Sequence, residues 1–516
     1  ANLIDKLHKK LISIKTRTAG FQEDITYLQV SDLNSLNEVR RIQSSEFVKN
    51  PLALIHLNGK FYFIHRTKLI SDDRGLYNSK LLAQEIDPVN ASFTQPTIEL
   101  SKNTDYQSNS VLHFDDNKKI IIWGEKIQFE LLKSKPVSLL FSSFDDTLTL
   151  IKESIIDFTY NTKQMKIINV MISNDGTPYI LAMILHKGDF REIVRRKGYQ
   201  MNYDLMLFKI DLEGNSYEEF KLEIGSKVLL DYSAKMDEND KIVIGGNYMT
   251  SNSKSEAASG LFQYQLSTDG SISTKSFHPF PIDIVGKYES EFTKKQLDKQ
   301  KNKGQEIVVE GLDHRSMILQ PDGSSIINGE VLVPLGNRVA GATAGGQTTF
   351  ESDHAFRYIF TAKINSDGSL AWINKLLKSQ WSETKTEYPN NHLQMAQDNF
   401  LPLAPYFGYS YTYHNGKHYY FYADGISEEK DKLTKELRNH NEIHEGAIFA
   451  YIIDDATGSY VKKMIVHKHD NTVNYKLGNF SPLHLFPSGD GKVFTEFSVG
   501  KGREILMSVD LPQLEE

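Results

Sequence analysis

The chain has 516 residues, 40% of them apolar and 24% charged, a composition that excludes a disordered protein. Its 59 Lys+Arg against 66 Asp+Glu leave a formal charge of −7, so no excess of cations marks a dedicated nucleic-acid binder. Zero cysteines exclude disulfides, zinc-thiolate sites and thiol nucleophiles, and no apolar run approaches the roughly 20 residues a membrane-spanning helix needs.

The chain opens Ala-Asn-Leu without an initiator Met, as a mature form left by signal-peptide removal would. Together with the missing cysteines this suits an exported protein, periplasmic or outer-membrane-associated, of a Gram-negative bacterium. Residues 2–15, NLIDKLHKKLISIK, set Leu3, Leu7 and Leu11 at helical spacing. Residues 1–23 therefore read as an N-terminal helix that packs on the body or offers those leucines to a partner.

From residue 24 the pattern is β. A Gly, Asn or Asp turn between β-branched and aromatic runs signals a hairpin. It recurs in LNGKFYFIHR (57–66), FDDNKKIIIWGE (114–125), SNDGTPYILAMI (173–184), MDENDKIVIGGNYM (236–249), LQPDGSSIINGEVL (319–332), YHNGKHYYFYAD (413–424) and FPSGDGKVFTEFSV (486–499). A second unit, an apolar strand ending in an Asp/Asn-Gly turn, follows four of them, at 203–215, 260–271, 357–369 and 446–459. The natural unit is a four-stranded antiparallel meander of about fifty residues, repeated about seven times, and a β-propeller is the architecture that uses such a unit.

The predicted fold is thus all-β, a seven-bladed propeller over 24–512. The last unit, 483–512, reads as three strands, and DITYLQVSD (24–32) is expected to supply the fourth and close the ring. Charged, helix-forming stretches at 288–306 and 427–443 read as short insertions projecting from one face, and the glycine-rich 334–354 as a mobile loop.

At KINSDGSLAWINKLL (363–377) the unit resembles the Asp-x-x-Gly-x-x-x-Trp repeat of quinoprotein-like exported bacterial propellers. The resemblance implies an exported propeller; no cofactor is read from it, because that Trp recurs nowhere else in register. The sialidase Asp box fails on spacing, since Asp367 and Gly368 are adjacent, and the kelch diglycine is represented only by Gly245-Gly246.

Candidate chemistry is sparse. His440 and His444, and His467, His469 and Asp470, read as solvated side chains rather than metal ligands, and the acidic turns 115–117, 237–240 and 453–458 as turns rather than calcium loops. No Gly-x-Ser-x-Gly, P-loop or dinucleotide fingerprint occurs. Tyr409, Tyr411 and Tyr413 alternate along one strand and share a face, either packed between blades or offered as a platform to a glycan.

With no catalytic motif, no metal site and no cofactor, the function expected is a non-enzymatic protein-interaction subunit of an exported complex. It would dock through a propeller face, the insertions and the N-terminal leucines. Its composition resembles accessory, plug-like subunits of outer-membrane transport assemblies such as the type 9 secretion apparatus. The alternatives are a carbohydrate-active hydrolase with acids at the central funnel, and a lectin-like module using the tyrosines.

Overall fold

Runs such as KFYFIHR (60–66) and PYILAMIL (178–185) are apolar at nearly every position, and a strand of that kind must be covered on both faces. In the computed structural model each is the second strand of an antiparallel meander. The structure describes residues 2–5, 9–17, 25–36, 38–43, 50–66, 70–71, 77–78, 80–90, 92–94, 97–101, 106–114, 119–126, 135–186, 191–195, 198–253, 256–342, 348–385, 408–425, 446–466, 480–488, 490–499 and 503–512. Among them eight sheets of three or more strands follow one another, spanning 2–43, 50–101, 106–161, 165–221, 228–279, 312–385, 410–466 and 480–510. Six have four strands, the second has five and the last three.

Each sheet buries its faces on its neighbours. Leu181 of the fourth packs with Ile244 and Phe262 of the fifth, and Val243 of the fifth with Met317 and Phe360 of the sixth. Leu11 and Leu33 of the first share a cluster with Phe494 of the last. The first strands of neighbouring sheets touch, among them Met165–Ile172, Val228–Met236 and Leu312–Leu319; Asn2–Asp5 touches both Asn50–Leu57 and Phe480–Pro487. In a meander the first and third turns lie on one edge, so the Asp-Gly turns gather on one side and the inter-sheet connections on the other.

The turns are packed tightly. Gly458 sits at φ +69°, and a Cβ there would lie 2.5 Å from the Trp372 ring. The Trp372 indole donates to the Asp455 carbonyl at 2.9 Å, so the tryptophan of the quinoprotein-like motif ties the sixth sheet to the seventh.

Several expectations are corrected. The leucine spacing at the N-terminus is not helical: Asn2–Asp5 and Lys10–Arg17 form a hairpin, with Ile4 opposite Leu11 and Lys9 turning the chain at φ +53°. Leu11 is fully buried, Leu3 lies in the first strand, and Leu7 falls outside the described residues. The segment Ile25–Asp32 pairs with Lys10–Arg17 and Glu38–Gln43, so it is an interior strand of the first sheet, not the fourth strand of the last. The seven hairpins read from the sequence belong to the second to eighth sheets, and the segment read as a helix supplies the additional first one.

Of the stretch 334–354, residues 334–342 and 348–354 are not loop but the outer part of a long hairpin, in which Asn337 faces Ser352 and Val339 faces Phe350, and 343–347 lie outside the described residues. Alternating small and β-branched residues suffice for a ladder there. The insertion at 288–306 does form a helix, α2 (Glu291–Asn302), capped by Ser290, whose hydroxyl accepts the Thr293 N–H. It follows the short α1 (Ile282–Gly286). The pair is clamped to the sheets rather than projecting: Lys375 Nζ donates to the Val285 carbonyl at 2.8 Å and to Glu289 at 2.6 Å, and Tyr288 and Tyr460 share a hydroxyl bond of 2.6 Å. The insertion at 427–443 lies outside the described residues.

Candidate active site

A β-bulge interrupts the first strand of five consecutive sheets, the second to the sixth, at a comparable level. In the fifth sheet Leu230 and Asp231 together oppose Asn247; in the sixth Arg315 is the extra residue between His314 and Ser316. A bulge breaks the alternation of side chains and re-aims those around it. It also presses the backbone onto the next strand. A Cβ on Gly246 would lie 2.1 Å from the Asp231 carbonyl oxygen, and one on its neighbour Gly245 would lie 2.7 Å from Met317 of the next sheet. The diglycine is therefore a packing requirement of this bulge and this sheet contact.

The two bulges bring Leu229–Ser233 beside Leu312–Ser316. The Asp231 carboxylate accepts the His314 backbone N–H, and the charges of Asp313 and Glu192 act on it, with Arg315 opposing. Burial is the largest influence and raises Asp231 from 3.8 to about 7, with the two like charges adding to it. Asp231, Tyr232, Ser233 and His314 are all half-buried where these two strands meet.

His314 is pushed the other way, down to about 4, by burial and by the cations Arg315 and Lys235. At neutral pH its ring is uncharged. Nε2 lies 2.8 Å from Ser233 Oγ, and Nδ1 has no hydrogen-bond partner among the described residues. Arg315 places Nε and one terminal nitrogen on Glu330 Oε2, at 3.1 and 3.0 Å, while Lys378 bonds the other carboxylate oxygen. Glu330 and Lys378 are both fully buried. Glu192, whose charge acts on Asp231, is itself paired with Lys166.

The three sequence-selected tyrosines do not act as one platform. Tyr409 is buried, Tyr411 donates or accepts a 2.8 Å bond with His418 Nδ1, and Tyr413 is 40% exposed with its ring 5.1 Å from that of His418. His418 is buried and bonded on its other nitrogen to Asp455 at 2.8 Å, so the group ties strands and turns together. Asp237 and Asp454 cap their own turns, Asp237 accepting the Asn239 and Lys241 N–H groups and Asp454 that of Thr457. The histidines at 440, 444, 467 and 469 lie outside the described residues. Among the described residues no cluster of three or more His, Asp or Glu is arranged to hold a metal, and no helix is long and apolar enough to cross a membrane.

The sequence did not single out Asp231, Asp313, His314 or Arg315. A signal was present: Asp313-His314-Arg315 breaks an otherwise apolar strand just before the Pro321-Asp322-Gly323 turn.

No protein-family model matches the chain, and none of the curated proteins is similar to it. Among solved structures it is similar to the polysaccharide lyase Uly1, with 10% identity over 90% of each chain and a TM-score of 0.38. An ulvan lyase of a new polysaccharide lyase family shows 10% identity over 91% of this chain and 97% of that one, at 0.37. A puromycin hydrolase shows 9% identity over 97% of this chain and 57% of that one, at 0.38. All three are enzymes. These neighbours stand against the expectation of a non-enzymatic interaction subunit, and that expectation is set aside together with the secretion-apparatus role.

Proposed function

We propose that this protein is a carbohydrate-active enzyme that cleaves a polysaccharide where Val228–Met236 and Leu312–Leu319 meet, with Asp231 as the proton-transferring group. The observation that carries the reading is the half-buried Asp231 carboxyl, held to about 7 within reach of the charge of a second carboxylate, Asp313. A carboxyl that is half protonated near neutrality can give a proton to a departing glycosidic oxygen, while a neighbouring carboxylate supplies the base or the electrostatic partner. The bulges hold these groups on sheet strands rather than loops, which keeps the geometry fixed.

We further infer that the eight sheets form one ring with these groups at its axis, which the contacts of the first and last sheets support. Action on a polymer fits the export expected from the missing cysteines.

The test is product analysis. The purified protein is incubated with a neutral β-glucan, polygalacturonate and chondroitin sulfate; new reducing ends alone indicate hydrolysis, and reducing ends with an ultraviolet-absorbing unsaturated sugar indicate elimination. Asp231→Asn abolishes either. Equal turnover by the wild type and Asp231→Asn would refute the assignment.

A further inference from the structure

The most exposed large apolar side chain among the described residues is Phe292, at 73%, in the first turn of α2. Leu297 turns to the body of the protein and is buried with Val285, so the opposite face of the helix is set by geometry. At 100° per residue that face carries Phe292, Lys295, Lys299 and, at the C-terminal cap, Lys303, one line along roughly 16 Å of helix. The three lysines are exposed, and none is held in an ion pair among the described residues. Lys294 lies off the line and pairs with Glu291 at 2.9 Å. The acids Glu291 and Asp298 fall to one side of the line.

The segment stands out in charge as well. Between 287 and 303 six lysines face three acids, in a chain whose formal charge is −7. It is also held in place: Lys375 grips the Val285 carbonyl and Glu289, and Lys287 donates to the Tyr460 hydroxyl at 2.5 Å. The lysine line is therefore presented on a fixed element rather than on a free tail.

We propose that this face of α2 is a docking surface for an anionic polysaccharide, one carrying carboxylate or sulfate groups, laid along the helix. The lysines take its charges, and the Phe292 ring covers the apolar face of one sugar unit. That the polyanion is a polysaccharide rests on the carbohydrate-cleaving reading above; that it is anionic rests on the lysines. The net negative charge of the whole chain disfavours a polyanion elsewhere on the surface and directs it here. A lipid surface fits less well, because an interfacial helix buries a whole apolar face, and here Leu297 faces the protein and one ring is left outward.

The experiment titrates the full chain carrying Asp231→Asn, which removes the proposed cleavage, with chondroitin sulfate, polygalacturonate and a neutral β-glucan by calorimetry at about 50 and 200 mM sodium chloride. The two polyanions are expected to bind, more weakly at the higher salt, and the β-glucan not to bind. Adding Lys295→Gln and Lys299→Gln should weaken binding about ten-fold or more, and Phe292→Ala about three-fold or more. Lys294→Gln with Lys301→Gln removes the same charge off the line and should cost less than about three-fold. Equal weakening by the two lysine pairs, or no binding of either polyanion, overturns the inference; so does binding only to phosphatidylserine vesicles. Turnover by the wild type is measured in parallel. If it cleaves a polymer while the two lysine pairs bind alike, this inference alone fails; if binding follows the line and the wild type cleaves nothing, the docking surface stands and the cleavage reading fails.

Discussion

Replacing Asp231 by Asn should stabilise the protein, and only in one pH range. In the native chain the carboxyl titrates at about 7 against 3.8 for an unperturbed one. Between those values the folded chain holds a proton that the unfolded chain has released, so stability falls as pH rises through the window and levels off above about 7. Integrated over the window, the difference is roughly 4 kcal/mol. His314 runs the opposite way: its titration is lowered from 6.5 to about 4, the unfolded chain binds the extra proton, and stability rises with pH over that span. The two slopes nearly cancel in the wild type, so the comparison between variants is the informative one. Asn keeps an oxygen for the His314 N–H and carries no charge. Urea unfolding of both proteins at a series of pH values should find them about equal near pH 4 and Asp231→Asn more stable by about 2–4 kcal/mol at pH 8. A difference that does not change with pH, or a variant that is weaker at pH 8 than at pH 5 relative to wild type, would refute the burial argument for this carboxyl.

Other substitutions test the architecture. Gly458→Ala forces a Cβ to 2.5 Å from the Trp372 ring at φ +69°, whereas at Gly59, φ +72°, nothing lies within 4 Å. Denaturant unfolding should therefore show a loss above about 2 kcal/mol for the first and about 1 kcal/mol for the second. Glu330→Gln leaves Arg315 and Lys378 without their shared carboxylate and should cost about 3–5 kcal/mol, read in the same assay. Leu11→Ala, at a fully buried position packed toward Phe494, should cost about 2–5 kcal/mol; a surface helix would lose far less.

Much of the fold was legible because its turns announce themselves. Turns of Gly, Asn and Asp bounded by apolar runs located the first two strands of seven sheets, since only a few residue types readily take the left-handed backbone such turns use. The first sheet was missed for a physical reason. Leu3, Leu7 and Leu11 fit a helical stripe and a short hairpin equally, and what decides is pairing with Ile25–Asp32, a contact the local sequence does not display. The site was hidden for the same reason on a larger scale. Ser233 and His314 are 81 positions apart and meet only because consecutive first strands lie side by side. Gly245-Gly246, noted in the sequence only as its single kelch-like diglycine, in fact records the bulge at Asp231. Alternation put Tyr409, Tyr411 and Tyr413 together but could not tell a bonded hydroxyl from an unbonded one.

The account stands on Asp231 moving a proton where the two strands meet. The most direct measurement is kcat/KM of wild type and Asp231→Asn on the polymer the wild type cleaves, across pH 5 to 9, with both proteins shown folded by circular dichroism. The wild type should lose activity through an apparent midpoint near 7, and Asp231→Asn should be at least about 100-fold slower at every pH. Wild-type rates from Asp231→Asn, with the same pH profile, would contradict it.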